Sequence, residues 1–194
     1  MQTTDILHVF YCKFIILHRE FLTDNFTMLL IYIRFMWLLS MLGFLVTLVV
    51  VQIYLPTHVV FEMKDVLEFG YAFTKDTFFY VSLAIAIVVN SCLLAFGNLF
   101  AYLPKTYILV PKKQFWLQDR EHHVLLAKKF KDWTKGVLFF CNLILIYFLV
   151  SVWALHDQFL KYNTSWVFIL FLIGLGLWFL YYFILFYTDA KDEE

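Results

Sequence analysis

Hydrophobic residues form four long uninterrupted runs along this chain, at residues 35–55, 78–103, 137–155 and 166–187. Each run can cross a bilayer, because a helix needs roughly 20 residues at about 1.5 Å each to span about 30 Å of hydrocarbon. The runs do not alternate with polar residues, which favours helices over a barrel of strands. The pattern therefore predicts an all-α, polytopic integral membrane protein with four transmembrane helices.

The chain is expected to have three parts: an N-terminal segment (1–27), a membrane domain (28–187) and an acidic tail (188–194). Apolar residues of the N-terminal segment recur at steps of three and four, as on one stripe of a helix: Leu7, Phe10, Phe14, Leu17 and Phe21. Two interpretations remain open. The segment is either an amphipathic helix on the cytoplasmic leaflet, or an upstream extension of a protein whose natural start is Met28.

Small and weakly polar residues indicate the faces on which membrane helices pack. Ser40, Gly43 and Thr47 share one side of the first helix. The second run holds the most such residues, so we expect the second helix at the centre of the bundle. The strongly polar side chains well inside the spans are Asn90, Asn98 and Asn142. We interpret these amides as hydrogen-bonding partners between helices, with a transport path as the alternative.

Basic residues are concentrated between the second and third spans, and this asymmetry predicts the orientation. Residues 104–136 hold eight basic and three acidic side chains, whereas residues 56–77 hold two basic and four acidic ones. A cytoplasmic central loop also places both termini in the cytoplasm and gives eleven basic residues inside against three outside. Arg34 is then expected at the cytoplasmic mouth of the first span, with its side chain reaching the headgroups.

The second half of the central loop has the pattern of a basic amphipathic helix. Leu126, Phe130, Trp133 and Val137 fall on one helical face, surrounded by lysines, and Asp119 could cap the helix. We interpret this segment as an interfacial helix on the membrane surface, attracted to anionic headgroups. Contact with a cytoplasmic protein is the alternative.

The composition agrees with a membrane protein and excludes other classes. The chain is 63% hydrophobic and 15% charged, against about 45–50% and about 25% in soluble domains. Its zero net charge argues against nucleic acid as a partner. Three scattered cysteines do not make a disulfide framework, and no Cys or His spacing suggests zinc. We expect no metal site and no cofactor.

The outer loop carries acidic residues at steps of three: Glu62, Asp65 and Glu68. We expect a solvated acidic face, because a divalent cation needs several oxygen ligands held together. His58 and His156 fall near the outer ends of spans, where we expect solvated side chains. A shared metal-binding or pH-sensing site is the alternative for this pair.

Two stretches of the chain resemble one family. Residues 55–80, LPTHVVFEMKDVLEFGYAFTKDTFFY, are similar to the loop of bacterial membrane proteins with the domain of unknown function 1648, which also forms the N-terminal part of SdpI-like immunity proteins. Residues 110–121, VPKKQFWLQDRE, resemble the Pro-x-x-x-[Tyr/Phe]-Trp-Leu stretch of that family. The chain departs from the family at residues 60–63, where Val-Phe-Glu-Met replaces Pro-x-His-[Phe/Trp]. The resemblance covers roughly residues 28–156 and implies a bacterial inner-membrane protein without established catalytic residues.

We therefore expect a non-enzymatic inner-membrane protein that acts through protein or lipid contacts. It would be an accessory subunit or an SdpI-like receptor or immunity protein, with a protein partner or a second copy of itself. The candidate interaction residues are Glu62, Asp65, Glu68, Gly70 and Lys75 in the outer loop, and Pro111, Phe115, Trp116, Leu117 and Arg120 in an inner motif. The alternative is a small transporter or membrane enzyme that uses Asn90, Asn98 and Asn142.

Overall fold

The computed structural model describes residues 31–60, 73–156 and 165–188. The predicted N-terminal segment and nearly all of the acidic tail therefore lie outside the described residues. In chain order the elements are α1 (Ile31–Tyr54), β1 (His58–Val59), β2 (Phe73–Thr74), α2 (Lys75–Leu99), α3 (Lys113–Gln118), α4 (Arg120–His156) and α5 (Ser165–Thr188). Helices α1, α2, α4 and α5 are long and apolar enough to cross a membrane. The prediction of four spanning helices is confirmed.

Helix boundaries follow from local chemistry. Helix α2 starts after Thr74, whose side chain accepts a hydrogen bond of 3.2 Å from the Thr77 N–H and so caps the first turn. Its far end tightens into a 3₁₀ turn (Phe100–Tyr102) just before Pro104, which supplies no N–H to continue a helix. Ahead of α4, Asp119 has extended backbone and its carbonyl accepts from the His123 N–H, as at a helix start.

The four spanning helices alternate in direction. Helices α1 and α4 run parallel, because Arg34 contacts Asp132 and, further along both helices, Ser40 contacts Asn142. Helices α2 and α5 run antiparallel to α4, as three contacts show: Gly97 with Thr134, Phe78 with Phe148, and Trp133 with Trp178. One end of the bundle, here called the central-loop end, therefore holds residues 103–119, the start of α1 and the end of α5. The opposite end, called the hairpin end, holds the antiparallel pair β1–β2.

Helix α4 occupies the centre of the bundle, and the expectation that the second helix lies there is wrong. Helix α4 contacts α1, α2, α3 and α5. The buried residues of α2 instead share one face: Phe78, Ser82, Ala86, Asn90 and Gly97. The small residues of α2 are thus divided between this buried face and an exposed one. Composition alone did not reveal that division.

The amphipathic segment of the central loop is not a separate surface helix. It is continuous with the third span in α4, whose 37 residues extend about 55 Å. The apolar face predicted to lie on lipid is covered by the protein itself, since Leu126, Phe130, Trp133 and Val137 are all buried. Residues 100–119, which link α2 to α4, are here called the central segment. The apolar face of α4 packs in one core with residues from the central segment and from α5: Phe100, Ile108, Trp116, Leu185 and Phe186.

A second core fills the hairpin end of the bundle. It joins α1, β1, α2 and α4 through the following residues: Phe44, Leu48, Val51, Leu55, Val59, Phe78, Ala86, Leu149 and Val152. The hairpin closes over this core because Val59, fully buried, points inward while His58 is exposed. A layer of polar side chains from α1, α2 and α4 lies between the two apolar cores.

Candidate functional site: polar groups inside the bundle and the central segment

Two asparagines meet in the bundle interior. The Asn90 Nδ2 atom donates to Asn142 Oδ1 at 2.9 Å, and Asn142 Nδ2 donates in turn to Ser40 Oγ at 3.2 Å. The indole N–H of Trp37 donates to Asn90 Oδ1 at 3.3 Å. Asn90 also donates to the carbonyl of Ala86. This network joins α1, α2 and α4, as expected for amides that hold helices together where no water competes.

Asn98 does not belong to this network. It lies in the last turn of α2, and its side chain is exposed on the surface of the bundle. The structure therefore brings together two of the three asparagines singled out in the sequence. Gly97, the residue before it, faces the opposite way and packs against the side chain of Thr134 on α4.

An ion cluster lies between α1 and α4 at the central-loop end. Both carboxylate oxygens of Asp132 accept from Arg34, Oδ1 from Nε at 3.0 Å and Oδ2 from Nη2 at 2.8 Å. Lys135 Nζ lies 2.7 Å from Asp132 Oδ1. The Asp132 side chain is 1% exposed, Lys135 is 12% exposed and Arg34 is 46% exposed. The carboxylate is thus enclosed by two cations, and only the arginine presents much surface outside.

This cluster corrects the sequence-based picture of Arg34. The arginine was expected to extend alone to the headgroups, whereas its guanidinium is held by a bidentate ion pair with α4. The sequence pattern did not single out Asp132, because a charge beside the apolar stripe of an amphipathic helix is usually solvated. One signal was available: Arg34 directly precedes the first apolar run, and Asp132 is the one acidic residue among the lysines from Lys128 to Lys135. Lone opposite charges near span ends are natural partners.

Trp116 of the inner motif is fully buried at the central-loop end. Its indole Nε1 donates to the carbonyl of Phe186 on α5 at 3.0 Å, and its ring meets the Phe186 ring edge to face. The ammonium of Lys129 lies 5.4 Å from the centre of the same ring, within range of a cation–π contact. Trp116 therefore fixes α3 against both α4 and the end of α5.

The remaining residues of the inner motif take different positions. Phe115 packs against Trp116 and against the ring of His122, with centroids 5.1 and 4.6 Å apart. The carbonyl of Leu117 accepts from Lys105 Nζ at 3.1 Å. Pro111 begins the turn before α3, and Arg120 is exposed at the start of α4. The motif therefore packs largely inside the protein, and Arg120 is its exposed residue.

Two tryptophans fasten α4 to α5 by reciprocal hydrogen bonds. Trp133 Nε1 donates to the carbonyl of Trp178 at 3.2 Å, and Trp178 Nε1 donates to the carbonyl of Trp133 at 3.0 Å. Gly136 permits this approach, because a Cβ atom at that position would overlap the indole of Trp178. Tyr182 adds a bond from its hydroxyl to the carbonyl of Leu109 at 2.9 Å. These hydrogen bonds thus hold the central segment, α4 and α5 together.

Four of the five candidate outer-loop residues lie outside the described residues: Glu62, Asp65, Glu68 and Gly70. Lys75, the fifth member, starts α2, and its backbone N–H donates to the carbonyl of Thr57 at 3.0 Å. Lys75 therefore helps to close the hairpin.

His58 and His156, expected to be solvated with a shared site as the alternative, have separate environments at this end. His156 Nε2 accepts from the backbone N–H of Val60 at 3.2 Å, and Nδ1 lies 2.9 Å from the carbonyl of Val152. These two contacts occupy both ring nitrogens and fix the tautomer with the proton on Nδ1. His58 is exposed in β1, opposite Thr74. His156 thus serves to attach the hairpin to the end of α4.

Within the part of the chain that the structure describes, no three His, Cys, Asp or Glu side chains are grouped so as to hold a metal ion. The polar groups that do come together are amides, indoles and one carboxylate enclosed by two cations. Their arrangement joins helices to one another. No protein-family model, no curated protein and no solved structure matches this chain.

Proposed function

We propose that this protein is a non-enzymatic, multi-pass protein of the bacterial inner membrane that acts by binding another membrane protein. It would serve as an accessory subunit, or as a receptor or immunity protein similar to the SdpI-like proteins. The observation that carries this proposal is the outward face of α2, the side of that helix turned away from α4.

The outward face of α2 consists of small, polar and branched side chains at helical spacing, all of them exposed: Ala84, Val88, Ser91, Ala95 and Asn98. Helix faces in contact with other membrane helices are enriched in small residues, because these allow close approach of two backbones. The amide and hydroxyl groups of this face would gain hydrogen bonds from a partner helix that lipid tails do not offer. By contrast, the exposed residues of α5 are large and apolar apart from Gly176.

The proposed orientation places the central-loop end in the cytoplasm, in agreement with the excess of basic residues there. Several of these cations project from the region that would meet the headgroup layer. Lys128 and Lys131 are exposed on α4, and so is much of the Arg34 side chain on α1. Such side chains attract anionic lipid, each by about 1 kcal/mol near a charged surface. The central segment is thereby anchored to the inner leaflet.

The inner motif, which resembles a stretch of the family with the domain of unknown function 1648, has a packing role in this chain. Trp116 is the residue of the Pro-x-x-x-Phe-Trp-Leu stretch with the largest buried contact, and it joins α3 to α5.

The alternative of a transporter or membrane enzyme has less support in the geometry. Its three asparagines do not form one site, since Asn98 is exposed while Asn90 and Asn142 bond to each other. Asn90 and Asn142 are further engaged by Trp37, Ala86 and Ser40. Their hydrogen-bonding groups are therefore used in holding three helices together, the role expected of interhelical amides.

The proposal is tested by purifying the full chain from native membranes in a mild detergent, with mass spectrometry and light scattering of the complex. We expect a stoichiometric complex that Ala95→Leu disrupts, because the added side chain keeps a partner helix at a distance. The matched control is Val49→Phe, which adds bulk at an exposed position of α1. A chain that is monomeric without a partner would contradict the proposal. So would a complex that Ala95→Leu leaves intact.

A further inference from the structure

We propose that Arg34, Lys131 and Lys135 form a binding site for the phosphate group of an anionic lipid at the central-loop end. This site rests on the proposed membrane function but is independent of the partner-binding face on α2. Two features of the described residues support it: the excess of positive charge around Asp132, and the depth at which that charge lies.

The ion cluster carries one more positive charge than it can neutralise internally. Asp132 contributes the single carboxylate, while Arg34 and Lys135 each contribute a cation within 3.0 Å of it. Lys131 lies on the same face of α4 as Lys135, one turn before it, and is exposed. The next acidic residue toward the start of α4 is Glu121, about 16 Å away along the helix axis. Among the described residues of α4, nothing acidic other than Asp132 lies beside this cluster.

The guanidinium of Arg34 is held with one edge inward and the other outward. Its Nε and one Nη2 hydrogen point at Asp132, so two of its five N–H donors are used by the ion pair. The side chain is 46% exposed, and the ion pair leaves three of its five N–H donors unused. A guanidinium fixed in this way is preorganised for a phosphate, because its planar donors match two phosphate oxygens.

The cluster lies at the depth of lipid phosphates. About 20 residues of α1 follow Arg34, and about 20 residues of α4 follow Lys135. At about 1.5 Å per residue each stretch spans about 30 Å, the thickness of the hydrocarbon layer. Arg34 and Lys135 are therefore at the boundary where hydrocarbon gives way to headgroups. The phosphate most concentrated at that boundary belongs to the lipids themselves.

The test uses native mass spectrometry of the purified full chain, titrated with phosphatidylglycerol or with phosphatidylcholine of the same acyl chains. We expect the wild-type chain to retain at least one phosphatidylglycerol about tenfold more tightly than phosphatidylcholine. The double variant Arg34→Gln/Asp132→Asn should lower this affinity about tenfold, since charge-assisted hydrogen bonds to the phosphate are lost. This variant removes one charge of each sign, so the net charge of the chain is unchanged. A decrease therefore reports the guanidinium and not overall electrostatics.

A second pair of variants leaves the Arg34–Asp132 ion pair intact and so decides the question if the double variant misfolds. Lys131→Gln and Arg120→Gln each remove one exposed cation from α4, but Arg120 lies about 16 Å further from the membrane. Only Lys131→Gln should weaken phosphatidylglycerol binding. Equal retention of both lipids by the wild type, or equal effects of Lys131→Gln and Arg120→Gln, would overturn the proposal.

The source of the phosphate is tested by competition with inorganic phosphate in the same titration. For a lipid site we expect phosphatidylglycerol to stay bound at about 10 mM inorganic phosphate, because the acyl chains add apolar contact that the free ion lacks. Displacement at that concentration would show that the cluster binds free phosphate and would overturn the assignment to lipid. Loss of the lipid site would leave partner binding through α2 unaffected, so the two proposals fail separately.

Discussion

Truncation of Trp116 is the sharpest test of how the central segment is held to the bundle. The side chain is fully buried, its indole N–H lies 3.0 Å from the carbonyl of Phe186, and aromatic rings pack against it from two sides. Replacing a buried tryptophan with alanine costs about 3–5 kcal/mol. We expect Trp116→Ala to lower the free energy of unfolding by that amount and to reduce accumulation of the chain in membranes.

A graded variant separates burial from hydrogen bonding at this position. Trp116→Phe keeps most of the buried ring and removes the indole N–H that bonds to Phe186. The carbonyl of Phe186 is among the last four of α5, which ends at Thr188 and supplies no helical N–H to it, so the loss should be about 1–3 kcal/mol. Trp166→Ala is the matched control, because this tryptophan is 62% exposed at the start of the fourth span. Its truncation should change stability by less than about 1 kcal/mol.

The assay is unfolding of the purified chain in mixed micelles with an increasing fraction of sodium dodecyl sulfate, followed by far-ultraviolet circular dichroism. Immunoblots of membrane fractions give accumulation in cells. If Trp116→Ala and Trp166→Ala had equal effects, burial of Trp116 against α5 would not stabilise the protein. If Trp116→Phe were as harmful as Trp116→Ala, the hydrogen bond and not packing would be the main contribution, and the magnitude derived above would be wrong.

Three further predictions concern the bundle and its orientation. Gly136→Ala should lower the free energy of unfolding by about 1–3 kcal/mol, because the new methyl group overlaps an indole of α5. Gly176→Ala, with open space around it, should instead raise the free energy of unfolding by up to about 1 kcal/mol. Equal effects of the two variants in the micelle assay would contradict the close packing of α4 and α5. Asn142→Leu should lower the free energy of unfolding by about 1–2 kcal/mol, because the hydrogen bonds of Asn142 to Asn90 and to α1 are lost. We expect this variant to leave any uptake or efflux phenotype unchanged. Loss of transport in a correctly assembled chain would favour the transporter alternative. A cysteine introduced by Lys113→Cys in a chain without other cysteines should resist a membrane-impermeant maleimide applied to intact cells, and labelling from outside would reverse the proposed orientation.

The spanning helices were predictable because crossing a bilayer depends on a local property, the length of an uninterrupted apolar run. Each predicted span lies within a few residues of a helix in the structure. The larger differences occur where a helix continues past the apolar run, as α4 does at its start. There the apolar stripe of residues 126–137 predicted a helix correctly, but the surface that covers it was assigned to lipid and is in fact protein.

The polar groups were predictable in kind but only partly in position. Asn90 and Asn142 were expected to join helices and do so, whereas Asn98 was expected among them and is exposed. A helix that is apolar on most sides has no amphipathic stripe to show which face is buried. The rotation of α2 about its axis is therefore set by the side chains of α1 and α4 that meet it, and those contacts are not local in sequence.

The sequence by itself determined that this chain has four helices long and apolar enough to cross a membrane, and its distribution of basic residues predicts which end faces the cytoplasm. Tertiary structure alone decided that α4 lies at the centre, that Arg34 pairs with Asp132 across 98 positions of the chain, and that Trp133 and Trp178 exchange hydrogen bonds. The physical reason is that solvation by lipid depends on composition within one helix. Packing inside the bilayer instead depends on matched shapes and polar groups from different helices, because lipid tails provide no hydrophobic drive between apolar surfaces.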